Sequence, residues 1–195
     1  VFKGLGSKCY LISHGNDRSV VAGLPDVTVV DSPSDADFLL IVGCDAPQKS
    51  LDDYDPLLKE AAKNRLKAIC SNPEMRGLVG GQPVLGTGAV ARRYQDLGGV
   101  VTYIGKPFEP IYAACANFLR KKDIFPGQCV VIGDAMDQDI LGGVTAEMDT
   151  CLIAATGLHA GNFRGLSNLS DLEKSLNNLV IAHHNVRPNY IVPKF

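Results

Sequence analysis

The stretch Val130-Val131-Ile132-Gly133-Asp134-Ala135-Met136-Asp137-Gln138-Asp139-Ile140 decides how this chain reads. An apolar run of strand character ends at Gly133, and carboxylates follow at once where a helical pattern begins. In parallel α/β sheets the ligand crevice lies outside the carboxyl ends of the strands, so an acid placed there faces it. Its hard oxygens suit Mg²⁺, which keeps several waters and takes only one or two protein carboxylates. The same acids also suit a helix N-cap and first turn, where the macrodipole favours negative charge. Spacing alone leaves both roles open.

Working outward, Tyr103-Ile104-Gly105-Lys106-Pro107 closes the preceding apolar run. It sets a cation at a strand end, with Pro107 expected at the first position of the next helix. A lone lysine is ordinarily a solvated charge. Paired with acids at another strand end, it makes the set that phosphoryl transfer needs: a cation and Mg²⁺ to neutralise non-bridging oxygens.

Short apolar runs alternate with helical patterns along the whole chain, which predicts an α/β fold with a mainly parallel sheet. Strands are expected at 8–13, 27–30, 38–42, 68–70, 100–104, 129–132 and 150–154. Helices are expected at 55–66, 88–97, 107–121, 137–146 and 170–179. The helix from Pro107 should bury Ile111, Cys115, Phe118 and Leu119 on one face. Ser170-Asp171-Leu172-Glu173 reads as a capping box. The glycine-rich run from Gly77 to Gly88 fails the dinucleotide fingerprint, since Ala89-Val90-Ala91 follows Gly86-Thr87-Gly88.

The 195 residues suffice for one ample domain or two small ones. With 46% hydrophobic and 21% charged residues, the composition is that of a globular protein. A net charge of −2 provides no global attraction to nucleic acid or anionic membrane, so an anionic ligand needs a local site. No apolar run is long enough to span a bilayer. The 6 cysteines are scattered without a C-x-x-C pair, which fits small buried hydrophobes in a reducing cytoplasm rather than zinc ligands. His183-His184 reads as a polar spot near the end of the chain.

The pair Gly105-Lys106-Pro107 and Gly133-Asp134, with Asp139-Ile140 after four intervening residues, resembles motifs III and IV of the haloacid-dehalogenase-like (HAD) phosphatases. The upstream half resembles the class IIA cap of the p-nitrophenylphosphatase-like branch. Its matching pieces are Ala36-Asp37-Phe38-Leu39-Leu40-Ile41-Val42-Gly43, Ser71-Asn72-Pro73-Glu74 and Gly86-Thr87-Gly88-Ala89. Pro188-Asn189-Tyr190-Ile191-Val192-Pro193 resembles the ending of one bacterial subgroup. The resemblance implies an α/β cap domain over 1–99 and the C-terminal half of a HAD-like Rossmannoid core over 100–195.

It also implies roles. Asp134 would be the Mg²⁺ ligand, and Asp139 would support the metal's water shell or orient the lysine. Lys106 would contact the phosphate and the nucleophilic carboxylate. Asn72 and Glu74 would face the substrate from the cap, although the branch more often has Asp where Glu74 stands. Asp137 is expected to be a helix-start residue. The family's nucleophile lies on an earlier strand ending in Asp-x-Asp, whereas this sequence opens with Val1-Phe2-Lys3-Gly4, at the expected crossing from core to cap. Asp31, after Val27-Thr28-Val29-Val30, imitates the nucleophile strand, but Pro33 stands where the second Asp belongs.

The expectation is therefore a hydrolase acting on a small phosphomonoester with Mg²⁺, inactive by itself without an N-terminal core segment as partner. Homo-oligomers are compatible with such caps. The alternatives are a non-catalytic module that binds a phosphate ligand and a structural remnant.

Overall fold

The computed structural model describes residues 4–80 and 82–194 and divides the chain into two compact units between Gly105 and Lys106. Val1–Lys3, expected at the crossing from core to cap, lie outside the described residues, as does Gly81.

The first unit carries a five-stranded, wholly parallel sheet. Its strands are β1 (Lys8–Ile12), β2 (Thr28–Val30), β3 (Phe38–Ile41), β4 (Lys67–Cys70) and, after a hairpin, β7 (Val100–Tyr103), in the order β2-β1-β3-β4-β7. The central strand β3 is buried along its whole length, which is why Phe38-Leu39-Leu40-Ile41 is continuously apolar rather than alternating. One face packs under α1 (Asp55–Lys63) and α2 (Thr87–Asp96), with Leu39, Ile41, Leu58, Val90 and Tyr94 in a single cluster. Cys9, Phe38, Leu40 and Ile69 form the other face. Arg93 joins the two helices through a two-pronged pair with Asp55, Nε to Oδ1 and Nη2 to Oδ2, both 2.7 Å.

Sequence pattern missed the antiparallel hairpin β5 (Arg76–Val79) and β6 (Gln82–Leu85), because its strands lack the apolar alternation of a half-buried pair. Beyond the hairpin, the glycine-rich run has a packing explanation. Side chains at Gly86 and Gly88 would overlap the backbone of Pro73–Arg76, and Gly88 N–H donates to the Glu74 carbonyl at 2.7 Å.

The resemblance implies that Val100–Tyr103 belongs to the core half over 100–195. It instead hydrogen-bonds to β4, Lys67 opposite Val100, and so forms the edge of the first sheet. Only the pairing partner could decide this, since either sheet would accept the same run.

The second unit contains α3 (Glu109–Arg120), β8 (Val130–Gly133), α4 (Leu141–Thr145), β9 (Asp149–Ile153), α5 (Ala160–Phe163), α6 (Leu169–Ala182) and β10 (Tyr190–Val192). Its parallel sheet has the order β10-β9-β8, so β8 is an edge strand among the described residues. Met136, Ile140, Leu152, Phe163, Leu176 and Leu179 form the core. Asn189 ties β10 to β9, its Oδ1 accepting from both the N–H (2.9 Å) and the hydroxyl (3.0 Å) of buried Thr150.

Three expectations change here. The third helix starts at Glu109 with Pro110 in its first turn, rather than at Pro107. The N-cap of α6 is Asn168, whose Oδ1 accepts from Asp171 N–H at 2.8 Å, because the helix begins one residue before Ser170. The apolar stripe of α3 is also not buried: Ile111, Cys115 and Phe118 are exposed, and Tyr112 is the helix's buried residue.

Candidate active site

Strand β8 stops at Gly133 because of what lies above it. A Cβ at this position would overlap the carboxylate of Asp139, which folds back over the strand end. The chain turns between them through Met136–Ile140, a π-helical turn in which the Ala135 carbonyl accepts from the N–H groups of both Asp139 (2.9 Å) and Ile140 (3.2 Å). Such turns are rare and recur at functional sites. The expected single helix over 137–146 is therefore this turn followed by α4. Its inserted residue lets Asp139 point back toward the strand end.

Asp139 is buried, and both carboxylate oxygens are engaged. Oδ2 accepts from the Ala135 N–H at 3.1 Å, and Oδ1 receives Lys106 Nζ at 2.6 Å. The lysine side chain is half exposed, so its charge reaches solvent on one side while Asp139 fixes it on the other. Beneath the turn, the Tyr112 hydroxyl donates to the Gln138 carbonyl at 3.3 Å. Burial, with the nearby Asp139 charge adding to it, pushes the Tyr112 phenol up to about 12, so it remains a donor throughout the physiological range.

Asp134 leaves the carboxyl end of β8 half-buried. Its Oδ2 accepts from the Leu158 N–H at 2.9 Å. Gly157 makes this approach possible, for its φ is +79° and any side chain there would overlap the Asp134 carboxylate. The loop after β9 thus grips Asp134 by its backbone, a contact the sequence reading missed. Its only trace in the sequence is a glycine shortly after a strand end, beside the same crevice. Asp137 is exposed, and its Oδ1 meets His183 Nδ1 at 2.5 Å. His183 is thus more than a polar spot near the chain end.

In the first unit, Asn72 and Glu74 follow β4 at its carboxyl end, where Asn72 Oδ1 accepts from the Glu74 N–H at 3.4 Å. Asp31 follows the edge strand β2 and pairs with Arg18 at 2.8 Å, well exposed. Lys106, Asp134 and Asp139 are the candidate residues that share the second unit.

Residues 103–194 match the family model described as HAD-hydrolase-like. Among solved structures the chain is similar to a haloacid dehalogenase-like hydrolase from Brucella suis 1330, at 24% identity and a TM-score of 0.73 over 96% of this chain. The chain has the HAD-like fold. Two further neighbours are a p-nitrophenyl phosphatase from Archaeoglobus fulgidus (18%, TM-score 0.65, 97% of this chain) and NagD from E. coli K-12 (22%, 0.59, 97%). The expected α/β fold of HAD-like type is thereby shown. The chain spans 65%, 65% and 64% of the lengths of these three structures. No curated protein matches it.

The residues present suit a hard divalent cation. Asp134 offers a half-buried carboxylate oriented by one N–H, which leaves lone pairs on the other oxygen. Among the described residues no group of three or more His, Cys, Asp or Glu is placed to enclose a metal.

Proposed function

We propose that this chain forms the metal- and phosphate-binding part of a HAD-like phosphatase acting on a small phosphomonoester with Mg²⁺. The carrying observation is the Asp139 carboxylate, which lies over Gly133, the residue before Asp134, and holds Lys106 there. Asp134 would hold the ion, which when bound neutralises charge on the phosphoryl oxygens. Lys106 would meet another of those oxygens as a fixed cation, and Asp139 keeps its ammonium group aimed.

Turnover also needs an attacking carboxylate. Among the described residues no strand of the second unit runs into Asp-x-Asp: β9 leads into Ala154-Ala155-Thr156 and β10 into Pro193-Lys194. The attacking group would arrive on a strand laid along the free edge of β8. Support for this comes from the apolar surface there, with Val130 48%, Ile132 39% and Phe125 54% exposed, and from the uncovered stripe of α3. Apolar side chains left open beside an unpaired strand edge suit another polypeptide segment.

The test is reconstitution. An N-terminal segment bearing an apolar strand and Asp-x-Asp, fused or added as a separate chain, should confer Mg²⁺-dependent hydrolysis of p-nitrophenyl phosphate. Asp134→Asn should lower the rate and be partly rescued by added Mg²⁺. A well-folded reconstituted protein that is inactive over a broad phosphomonoester panel would overturn the catalytic reading in favour of a phosphate-binding module.

A further inference from the structure

The helical segment that starts at Met136 has a weak cap. Ala135 stands at its N-cap position and has no side-chain oxygen, so the first N–H groups must find acceptors elsewhere. The Ala135 N–H is taken by Asp139. The Met136 N–H is taken by the imidazole of His159, with Nε2 at 3.4 Å. An imidazole nitrogen that accepts is unprotonated, which fixes the tautomer with hydrogen on Nδ1. The His159 ring meets the His183 ring edge-on, with centroids 5.0 Å apart and planes at 73°. His183 caps the end of α6 and is held in turn by Asp137, on the turn that follows Asp134. Next to His159, the Leu158 N–H reaches Asp134 itself. Asp134, Met136, Asp137, Leu158, His159 and His183 thus form a closed ring of contacts joining the β8 end, the loop after β9 and the end of α6.

We propose that His159 and His183 are positioning residues for Asp134. His159 caps the turn at Met136 and fixes the loop whose Leu158 N–H orients the Asp134 carboxylate, while His183, anchored on Asp137, keeps the His159 ring from swinging away. This rests on the reading of Asp134 as the metal ligand. The charged and titratable groups facing His159 are His183, Asp137 and Asp134. Burial, seconded by His183, holds the His159 imidazole below its ordinary value against the pull of the two carboxylates, which agrees with a ring that must stay neutral to accept.

Amide hydrogen exchange followed by NMR on the full chain, without metal, tests the clamp. His159→Leu should cost Met136 and Leu158 about tenfold or more of their protection, while the core amides of Leu152 and Leu176 keep theirs. His159→Gln retains an acceptor and should preserve Met136, and His183→Ala should give a smaller loss at the same two amides. In the unsubstituted chain, Met136 protection should be full above a pH of about 6.5 and decline below it; in His159→Gln that dependence should vanish. Unchanged protection at Met136 and Leu158 in His159→Leu, or an equal loss at all four amides, would overturn the proposal.

Mg²⁺ titration of the same proteins, read from the Leu158 and Ala135 resonances, separates the clamp from the reading it rests on. A several-fold weaker affinity in His159→Leu than in His159→Gln supports positioning of Asp134. Equal affinities would overturn it. Selective exchange losses with no Mg²⁺ response, even in the unsubstituted chain, would uphold the clamp and sink the metal reading.

Discussion

Replacing Gly133 by alanine should displace the Asp139 carboxylate and release Lys106. The added methyl would occupy the space the carboxylate holds, and the neighbouring atoms belong to a buried turn that cannot retreat as a flexible chain end would. Overpacking of this kind costs about 1–3 kcal/mol. Losing the bond from the Ala135 N–H to an ionised acceptor costs about 1.5–3 kcal/mol. The pair with half-exposed Lys106 adds at most about 1 kcal/mol, because solvent screens it. These losses are alternatives rather than a sum, since the side chain either stays under strain or leaves. Gly133→Ala should therefore cost about 2–3 kcal/mol. Asp139→Ala should cost about the same, for it forfeits the same two bonds. In the double variant the methyl meets no carboxylate, so the total should stay near about 3 kcal/mol, a coupling of about 2 kcal/mol. Urea unfolding, followed through the Ile140 and Leu152 methyl resonances, reports on this unit's own core. Additivity within about 0.5 kcal/mol would refute the claim that Gly133 is glycine because Asp139 lies over it.

Mg²⁺ should bind the chain alone only weakly, because among the described residues of the second unit no strand ends in an Asp-x-Asp pair that could share it with Asp134; titration calorimetry giving micromolar affinity, about 8 kcal/mol, would contradict this. In the reconstituted enzyme Lys106→Ala should lower kcat at least about tenfold, since it removes a charge aimed at the transferring phosphoryl group; steady-state kinetics with p-nitrophenyl phosphate checks it. Asp55 is held well below the usual carboxylate range, first by Arg93 and then by Lys59. Its folded value lies under its unfolded one, so its contribution is complete above a pH of about 4 and is lost as the pH falls toward the folded value. The first unit's urea midpoint should therefore fall on acidification, and fall less in Asp55→Asn. The chain alone should self-associate through the open face of α3 and β8, and Phe118→Glu with Val130→Lys should reduce the concentration dependence of its sedimentation.

The sequence by itself determined the alternation of strands and helices, the parallel sheets and the strand end that carries Gly133-Asp134. Each of these rests on local chemistry. Phe38–Ile41 is apolar at every position because a central parallel strand is buried on both faces, and such a run can be read without its neighbours. Gly133-Asp134 at a strand end, with Asp139 behind it, is likewise a feature of one continuous segment.

What the tertiary structure alone decided was which segments meet. Val100–Tyr103 fits either sheet, and only its pairing with β4 assigns it to the first. The stripe Ile111, Cys115 and Phe118 has the spacing of a buried face, yet burial needs something to pack against it, and spacing cannot supply that. The contacts around Asp134 come from residues 24 and 46 positions away in their pairs, Leu158 with Asp134 and His183 with Asp137. A histidine near the end of a helix carries no mark of the carboxylate it will face. Periodicity encodes what a residue does within its own element, whereas a site assembled from the ends of three elements exists only once the chain has packed.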